Sequence, residues 1–339
     1  MAASPLPVLD PDWLAHRYDP AADAVHFVRA DRALRRDAPF LIDDHLPGAA
    51  EPRVVARRDA LDAAPTAAPI HFVLHSAYCC STLLANALDA PGVATSLKEP
   101  QILNDMVGWR HRGGSPGQVG AALDSSLRLL ARPFDPQEAV VVKPSNVVNG
   151  LADAMLAMRP RAGAVLLYAP LRAFLASIAR KGMWGRLWVR ELLSRQLAEG
   201  MTAGLGFENR DYLLHTDLQA AAVGWLAQHR LFADLARRHP ARVRTLNSEV
   251  LVARPAEALA ACAALFGLPL SGARIVDTVD RVFARNAKDG SAFEPGRREA
   301  ERRAGEAIHA EEVDKVAAWA EAVARNAGVA FEPPAPLLS

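Results

Sequence analysis

The chain has 339 residues, of which 51% are hydrophobic and 23% are charged; these values are typical of globular proteins and exclude a disordered chain. The net charge of +1 argues against a nucleic-acid-binding protein, because such a protein normally carries a basic excess. The longest apolar stretch, residues 258–270, spans 13 residues and is too short to cross a bilayer, so we expect neither a nucleic acid nor a membrane as a partner.

Two residue types are rare enough to be informative. The three cysteines, of which Cys79 and Cys80 are neighbours, cannot form a disulfide framework, and this predicts a reducing, cytoplasmic compartment. Only five of the 39 basic residues are lysines. Because a compact ammonium group differs chemically from a planar guanidinium group, each lysine is a candidate for a specific role, and chance is the alternative. The lysines are Lys98, Lys143, Lys181, Lys288 and Lys315.

Residues 1–69 are rich in Asp, Arg and Pro and are predicted to form an N-terminal extension. Its predicted elements are a strand over residues 24–28 and a helix over residues 30–36. Pro65 and Pro69 then indicate a linker. We therefore expect an extension that packs on a main domain of residues 70–339.

From Ile70 onward the pattern changes to alternating strands and helices. Residues 70–75 are an apolar run that predicts a buried parallel strand, and helical spacing over residues 82–90 follows. Later strands are predicted over residues 93–96, 139–143, 164–168 and 242–246. Helices are predicted over residues 118–130, 151–158, 171–179, 218–238, 256–266 and 297–326. This alternation predicts an α/β fold with a parallel sheet that helices cover on both faces.

The loop of residues 76–81 (SAYCCS) joins the first of these strands to a helix. Backbone N–H groups and the positive end of the helix dipole make such a junction an anion site, most often for phosphate. Ser81 and Thr82 are in position to cap the helix or to add hydroxyl donors. An ordinary strand–helix connection with a Ser/Thr cap is the alternative. The chain contains no G-x-x-x-x-G-K-[ST] sequence, which disfavours a nucleoside triphosphatase or an ordinary kinase.

Three other motifs carry a weaker signal. Cys79 and Cys80 lie at a helix N-terminus, where the pKa of a thiol can fall, but the Arg that a phosphatase loop would need is absent. We interpret them as compact loop residues. Residues 113–117 (GGSPG) match G-x-S-x-G without the strand–turn–helix context of a nucleophile elbow, so we predict a surface loop. His71 and His75 share a strand face without a third ligand nearby, and we expect no metal site.

Charged residues follow two of the predicted strands. Lys98 and Glu99 come after one strand, and Lys143 ends another. Because the carboxyl ends of parallel strands carry the chemistry in open α/β sheets, Glu99 is a candidate general base that the adjacent Lys98 would tune. A solvated charge pair before a helix is the alternative.

With these elements in order, four stretches resemble the sulfotransferases that use 3′-phosphoadenosine-5′-phosphosulfate (PAPS), in their bacterial, carbohydrate-type branch. Residues 75–84 (HSAYCCSTLL) are similar to the family's 5′-phosphosulfate loop, and residues 96–100 (SLKEP) to the segment with its catalytic Glu. Residues 169–177 (APLRAFLAS) resemble the segment that grips the 3′-phosphate, and residues 242–268 resemble a late strand and helix. The resemblance covers roughly residues 70–293 and implies the P-loop NTPase-like sulfotransferase fold.

The resemblance also implies a role for individual residues. Glu99 would accept the proton of the acceptor, and Lys98 or Lys143 would supply positive charge. The residues implied around the 5′-phosphosulfate are Tyr78, Cys79, Cys80, Ser81 and Thr82. The residues implied around the 3′-phosphate are Arg172, Ser177, Arg285 and Lys288. The implied acceptor is a hydroxyl group, with an amine as the second choice, on a small molecule or a peptide, and no metal is implied.

Two positions depart from the family pattern. Tyr78 stands where the family has Lys or Arg, and Ala169 stands where it has Arg. The missing loop cation would neutralise the bridging oxygen as the sulfate leaves. Two alternatives therefore stay open: a nucleotide-binding protein of the same fold without catalysis, and a phosphoryl-transfer enzyme that needs Mg²⁺ and an acidic ligand near Thr82.

Overall fold

Two β-sheets with flanking helices make up residues 6–283 and 295–338, the part of the chain that the computed structural model describes. The strands are β1 (Trp13–Asp19), β2 (Ala24–Arg29), β3 (Arg53–Ala56), β4 (Ile70–His75), β5 (Ala94–Lys98), β6 (Ala139–Lys143), β7 (Ala164–Tyr168) and β8 (Val243–Asn247). The α-helices are α1 (Arg32–Asp37), α2 (Arg57–Ala63), α3 (Ser81–Leu88), α4 (Gln101–His111), α5 (Pro116–Leu130), α6 (Ala152–Met158), α7 (Leu171–Arg180), α8 (Gly182–Ala198), α9 (Asn209–Leu214), α10 (Asp217–Arg238), α11 (Ser248–Ala253), α12 (Pro255–Phe266), α13 (Gly272–Val282) and α14 (Pro295–Ala327).

The larger sheet is parallel, with the strand order β5–β6–β4–β7–β8. Every residue of β4, β5, β6 and β7 is buried. Val73 and Val141 belong to the apolar cluster on one face, and Phe72 and Val142 belong to the cluster on the other. Both faces are therefore covered, as continuous apolar strands require, and the predicted parallel α/β fold is confirmed.

The carboxyl ends of β4, β5 and β6 meet at one edge of this sheet. Predicted strands 139–143 and 164–168 coincide with β6 and β7. Strand β5 runs two residues beyond its predicted end, because Lys98 pairs with Lys143 in the ladder. Glu99 is consequently the first residue after the strand, directly beside the end of β6.

The N-terminal extension forms an antiparallel sheet of β1, β2 and β3. The sequence predicts only β2, and the structure adds β1 and β3. Strand β1 escapes prediction because His16, Arg17 and Asp19 interrupt its apolar alternation. Phe27 of β2 lies in the same apolar cluster as the central strands, so the extension packs on the main sheet. The boundary at residue 69 stays a prediction.

Buried arginines connect the extension to the main domain and also order the extension internally. Arg132, close to the start of β6, donates to the carbonyl groups of Val8 and Trp13, both at 2.6 Å. Arg35 of α1 is 3% exposed and donates to the carbonyl of Ala30 at 2.7 Å. Burial lowers the pKa of Arg35 to about 9. A buried cation requires such partners, and here they are backbone carbonyl groups that no sequence pattern reveals.

All eight predicted helices correspond to helices of the structure, which are α1, α3, α5, α6, α7, α10, α12 and α14. The longer helices α4 and α8 are not predicted. Helix α8 has exposed Met183, Trp184 and Leu187, and apolar residues on its outer side hide the helical period. The GGSPG segment leads into α5, where Ser115 Oγ accepts from the N–H of Gln118 at 3.4 Å, so this serine is a helix cap. None of the helices in the described part of the chain combines the length and the apolar character needed to cross a membrane.

Candidate active site

The loop between β4 and α3 has an unusual backbone. Ala77, Tyr78 and Cys80 have φ values of 71°, 51° and 63°, in the left-handed region that residues other than glycine rarely adopt. Each such residue costs about 1–3 kcal/mol and persists only where the surrounding fold imposes it. Turns that contain left-handed residues aim successive N–H groups into anion-binding concavities. The loop backbone therefore differs from that of an ordinary connection and is compatible with an anion site.

Helix α3 adds the second part of this anion site. Cys80 is its N-cap and makes no side-chain capping hydrogen bond, so the alternative of a Ser/Thr cap does not hold. The N–H groups of the first turn have no acceptor within the helix, and the helix dipole favours negative charge there. Ser81 and Thr82 are 6% and 5% exposed. The loop and the helix start together fit a phosphate-like group.

The side chains of the loop are used for packing. Cys79 is fully buried, and burial raises the pKa of its thiol to about 12; the thiol is therefore protonated at neutral pH and is a poor nucleophile. Tyr78 makes edge-on ring contacts with Phe174 and Trp188, with centroids 6.1 and 5.6 Å apart. Burial also raises the pKa of Tyr78 to about 12. The backbone, rather than these side chains, carries the anion-binding potential of the loop.

Three polar residues meet at the carboxyl ends of adjacent strands. Lys143, at the end of β6, forms an ion pair with Glu99, just after β5. His75, at the end of β4, has its Nε2 atom 3.8 Å from Oε1 of Glu99. Lys143 is 1% exposed and Glu99 is 18% exposed, and Glu99 has a left-handed φ of 52°. The sequence predicts Glu99 and Lys143 as separate candidates, and the structure brings them into contact.

Both nitrogen atoms of His75 have fixed roles. Nδ1 accepts from the N–H of Ala77 at 3.1 Å, so the ring proton is assigned to Nε2, which lies 3.0 Å from the carbonyl oxygen of Pro144. This neutral tautomer ties the β4–α3 loop to the segment after β6. His75 therefore orders the site, whereas the side chain of Glu99 remains partly exposed.

Lys98 lies apart from this pair. Its Nζ atom donates to the carbonyl oxygen of Arg36 in helix α1 at 2.6 Å. Burial lowers the pKa of Lys98 to about 8. Of the two lysines expected near the reaction, Lys143 is the one that contacts Glu99, and Lys98 connects β5 to the N-terminal extension.

Two of the four residues expected around a 3′-phosphate are described by the structure, and both have partners within the protein. Arg172 forms an ion pair with Asp314 of α14, and Ser177 Oγ donates to the carbonyl of Ala173 within its own helix at 2.8 Å. Arg285 and Lys288 lie outside the described residues. The role of all four at a 3′-phosphate stays a prediction.

Sequence reasoning misses a cation beside the loop. Arg180, the last residue of α7, is exposed, and its positive charge opposes the rise in the pKa of Tyr78. Arg180 is therefore close enough to Tyr78 for its charge to act there. The sequence signal that could have identified Arg180 is its position three residues after Ser177, a predicted site residue.

A cavity of about 430 Å³ lies between α4, α8 and the segment after β6, and neither Glu99 nor Lys143 belongs to its lining. Gln101 and Ser145, each two residues beyond a member of the pair, contribute to its wall, and so does Trp188, which contacts Tyr78. Arg17 reaches this cavity from the N-terminal extension, where Nε donates to Asp105 at 2.9 Å. The sequence predicts neither Arg17 nor Trp188 as a site residue, because β1 and α8 were not predicted. The full lining is Arg17, Gln101, Asn104, Asp105, Gly108, Arg112, Ser145, Val147, Trp188, Glu191, Leu192 and Arg195.

Comparison with known proteins gives no match to a family model or to a curated protein. Among solved structures, the chain is similar to sulfotransferase STF9 from Mycobacterium avium, with 16% identity and a TM-score of 0.44 over 75% of this chain and 78% of that chain. It is similar to the sulfotransferase domain of the Synechococcus PCC 7002 olefin synthase, with 14% identity and a TM-score of 0.41 over 68% and 82% of the two chains. It is also similar to sulfotransferase STF1 from Mycobacterium tuberculosis H37Rv, with 16% identity and a TM-score of 0.40 over 66% and 73%. All three are described as sulfotransferases, the family that the four sequence stretches resemble.

Proposed function

We propose that the chain is a sulfotransferase that moves a sulfuryl group from PAPS to a hydroxyl group of an acceptor, with an amine as the second choice. The observation that carries this proposal is the contact between Glu99 and Lys143 at the carboxyl ends of neighbouring strands, beside a strained loop that leads into a helix N-terminus. An anion site and a carboxylate at one edge are what sulfuryl transfer requires, and a cytoplasmic location remains the expectation for this enzyme.

The anionic end of the donor has a matching site in the loop. Backbone N–H groups of residues 78–82 and the hydroxyl groups of Ser81 and Thr82 would bind the 5′-phosphosulfate. Arg180, beside Tyr78, would add a charge from outside the loop. When bound, the donor supplies the sulfuryl group, and the role of the loop is to hold it in line with the acceptor oxygen.

Glu99 is the residue best suited to act as the general base. Its carboxylate is partly exposed, whereas His75 has both ring nitrogens engaged and Lys98 is bound to the carbonyl of Arg36. As the acceptor oxygen bonds to sulfur, its proton would move to Glu99. The bond from sulfur to the 5′-phosphate oxygen would break, and its electron pair would stay on the phosphate.

Lys143 would replace the cation that the loop lacks. Its charge reaches the loop, because it opposes the rise that burial causes in the pKa of the Cys79 thiol. When Glu99 takes the proton it becomes neutral and no longer compensates Lys143. The ammonium group would then face the negative charge that develops on the leaving phosphate. Proton transfer and charge stabilisation would thus be coupled through one ion pair.

We propose that the cavity lined by Gln101 and Ser145 would receive the acceptor. Its volume of about 430 Å³ lies in the usual range for a small-molecule site. Its charged lining, which includes Arg17, Asp105, Glu191 and Arg195, favours a polar acceptor over an apolar one. A small polar molecule or a peptide side chain would fit.

A nucleotide-binding protein without catalysis is the second candidate, because Tyr78 and Ala169 replace the cations of the family pattern. Both candidates predict binding of adenosine 3′,5′-bisphosphate, and only the enzyme predicts consumption of PAPS. A phosphoryl-transfer enzyme would instead prefer ATP with Mg²⁺.

Calorimetry and a donor-consumption assay separate these functions. We expect adenosine 3′,5′-bisphosphate to bind without a metal and, at 100 times its Kd, to stabilise the protein by about 2.7 kcal/mol. We expect weaker binding of ATP with Mg²⁺ and slow release of sulfate from PAPS. No heat of binding and no change in melting temperature with the bisphosphate would contradict the proposal, and binding without sulfate release would favour the non-catalytic candidate.

A further inference from the structure

The backbone of Leu41, in the N-terminal extension, forms hydrogen bonds to residues on both sides of Glu99. Its N–H donates to the carbonyl of Lys98 at 2.7 Å, and its carbonyl accepts from the N–H of Gln101 at 3.1 Å. The N–H of Glu99 itself donates to the carbonyl of Lys143 at 2.6 Å. Because the peptide groups on both sides of Glu99 are held, its left-handed conformation is imposed by neighbouring segments and not by local preference.

Two side chains extend this contact. Lys98 Nζ donates to the carbonyl of Arg36, so the segment of residues 36–41 is tied to the end of β5 at both of its ends. The centroid of the Phe40 ring lies 5.2 Å from Nζ of Lys143, within the distance at which an aromatic face attracts a cation. The ammonium group of Lys143 therefore contacts the Glu99 carboxylate and the Phe40 ring.

We propose that residues 36–41 are a positioning element of the active site, in which Leu41 fixes the turn at Glu99 and Phe40 fixes the ammonium group of Lys143. The catalytic consequence of this proposal rests on the proposed function; the positioning itself does not. A lysine has four rotatable bonds and is restrained only by what it touches. Displacements of about 1 Å can change a rate by two orders of magnitude, so a restraint on Lys143 matters for a reaction that uses its charge.

The scarcity of lysine makes the positioning directly measurable. Protein labelled with [ε-¹³C]lysine should give one NMR signal for each of the five lysines, and Lys143→Arg identifies the signal of Lys143. A ring at 5.2 Å should displace this signal from that of exposed Lys315. We expect Phe40→Leu to move it towards the Lys315 position and Phe40→Tyr to leave it nearly unchanged. Unchanged signals from the other lysines will show that each variant is folded.

Phe134→Leu is the matched control, because the Phe134 ring faces a different cation, Arg35, at 4.6 Å. We expect this variant to leave the Lys143 signal in place. If Phe40→Leu also leaves it in place, Phe40 does not position Lys143 and the proposal is wrong, whatever the protein catalyses.

The catalytic arm measures sulfate release from PAPS and the affinity for adenosine 3′,5′-bisphosphate. Loss of an aromatic contact to a partly desolvated cation should lower the rate about three- to tenfold, with bisphosphate affinity unchanged and with the rate restored in Phe40→Tyr. A displaced Lys143 signal in a protein that neither binds the bisphosphate nor consumes PAPS would overturn the proposed function and leave the positioning intact. An active protein whose Phe40→Leu variant keeps the parent rate would overturn the catalytic role of the element.

Discussion

Strand β6 has an ion pair at each of its ends, and the two pairs differ in how fully the carboxylate is satisfied. Glu138, just before the strand, is 0% exposed and accepts hydrogen bonds from Arg32, Thr95 and the N–H of Gly92 at 2.6–3.1 Å. Glu99, beside the far end, is 18% exposed, left-handed and paired with Lys143. Each oxygen atom of the Glu138 carboxylate accepts two hydrogen bonds. Part of the Glu99 side chain, by contrast, remains accessible to solvent.

We interpret this difference as that between a structural carboxylate and a candidate for the reactive one. Burial alone would raise the pKa of Glu138, but the hydrogen bonds from Arg32, Thr95 and Gly92 outweigh burial, and the net pKa is lowered. A carboxylate held in this way has neither the basicity nor the room to accept a proton from a substrate. Glu99 has room, and its conformation is maintained by other parts of the chain, as strained functional residues often are.

The largest expected effect is that of Glu99→Gln. The amide keeps the shape of the side chain but cannot accept a proton at neutral pH, so sulfate transfer should fall by about 10²–10⁴-fold. The affinity for adenosine 3′,5′-bisphosphate, measured by calorimetry, should stay within about twofold, because the proposed mechanism assigns Glu99 to the acceptor and not to the nucleotide. A variant that releases sulfate from PAPS at the parent rate would remove Glu99 from the mechanism and make His75 the next candidate.

Glu138→Gln should lower the stability of the protein and leave its sulfate-transfer rate unchanged, the opposite of Glu99→Gln. Removing one partner of a buried ion pair leaves the other uncompensated, and this typically costs about 3 kcal/mol or more in the free energy of unfolding. The rate per folded molecule should be unchanged. Urea denaturation and the same sulfate-release assay test both statements. If Glu138→Gln unfolds at the same urea concentration as the parent protein, Glu138 does not stabilise the fold and the two ends of β6 do not differ in this respect.

The pH dependence of stability sharpens the description of Glu138. Its pKa in the folded protein lies below the value of 4.5 for a free glutamate, so the folded state binds its proton less readily than the unfolded chain. Its contribution to stability is then fully present above about pH 4.5 and is lost as the pH falls through the lower, folded-state value. The difference in unfolding free energy between the parent and Glu138→Gln should shrink below pH 4.5. A difference that grows on acidification would mean that the pKa is raised instead.

Much of the sheet was predictable because local patterns determine it. The apolar runs predicted as strands over residues 139–143 and 164–168 have the same limits as β6 and β7. The change from an apolar run to helical spacing also locates the loop between β4 and α3. Glu99 and Lys143 were predictable as candidates because the carboxyl ends of parallel strands collect functional residues. Their contact was not predictable, since it depends on the pairing of β5 with β6.

The remaining site residues come from elements whose sequences carry no clear period. Arg17 lies in the mixed strand β1, and Trp188 lies in α8, whose outer side is apolar. Phe40 lies three residues after the short helix α1, in a segment that is neither helix nor strand. These residues reach the site through tertiary contacts between the extension and the sheet, and a single sequence does not encode such contacts in a local pattern.

The smallest expected effect concerns Arg180, the cation beside the loop at the reactive edge of the sheet. If its charge faces the 5′ end of the nucleotide, Arg180→Gln should weaken the binding of adenosine 3′,5′-bisphosphate and of adenosine 5′-phosphate by a similar factor of about ten. This factor is the equivalent of one charge-assisted contact of roughly 1.4 kcal/mol.

Lys288→Ala should behave differently and weaken only the binding of the bisphosphate, because the family resemblance assigns Lys288 to the 3′-phosphate. Lys315→Gln, which removes an exposed lysine paired with Glu311, is the control and should change neither affinity. Calorimetric titration of the three variants with both nucleotides gives six Kd values. A loss confined to the bisphosphate in Arg180→Gln would move Arg180 to the 3′ end, and no loss for either nucleotide would leave Lys143 as the cation that serves the loop.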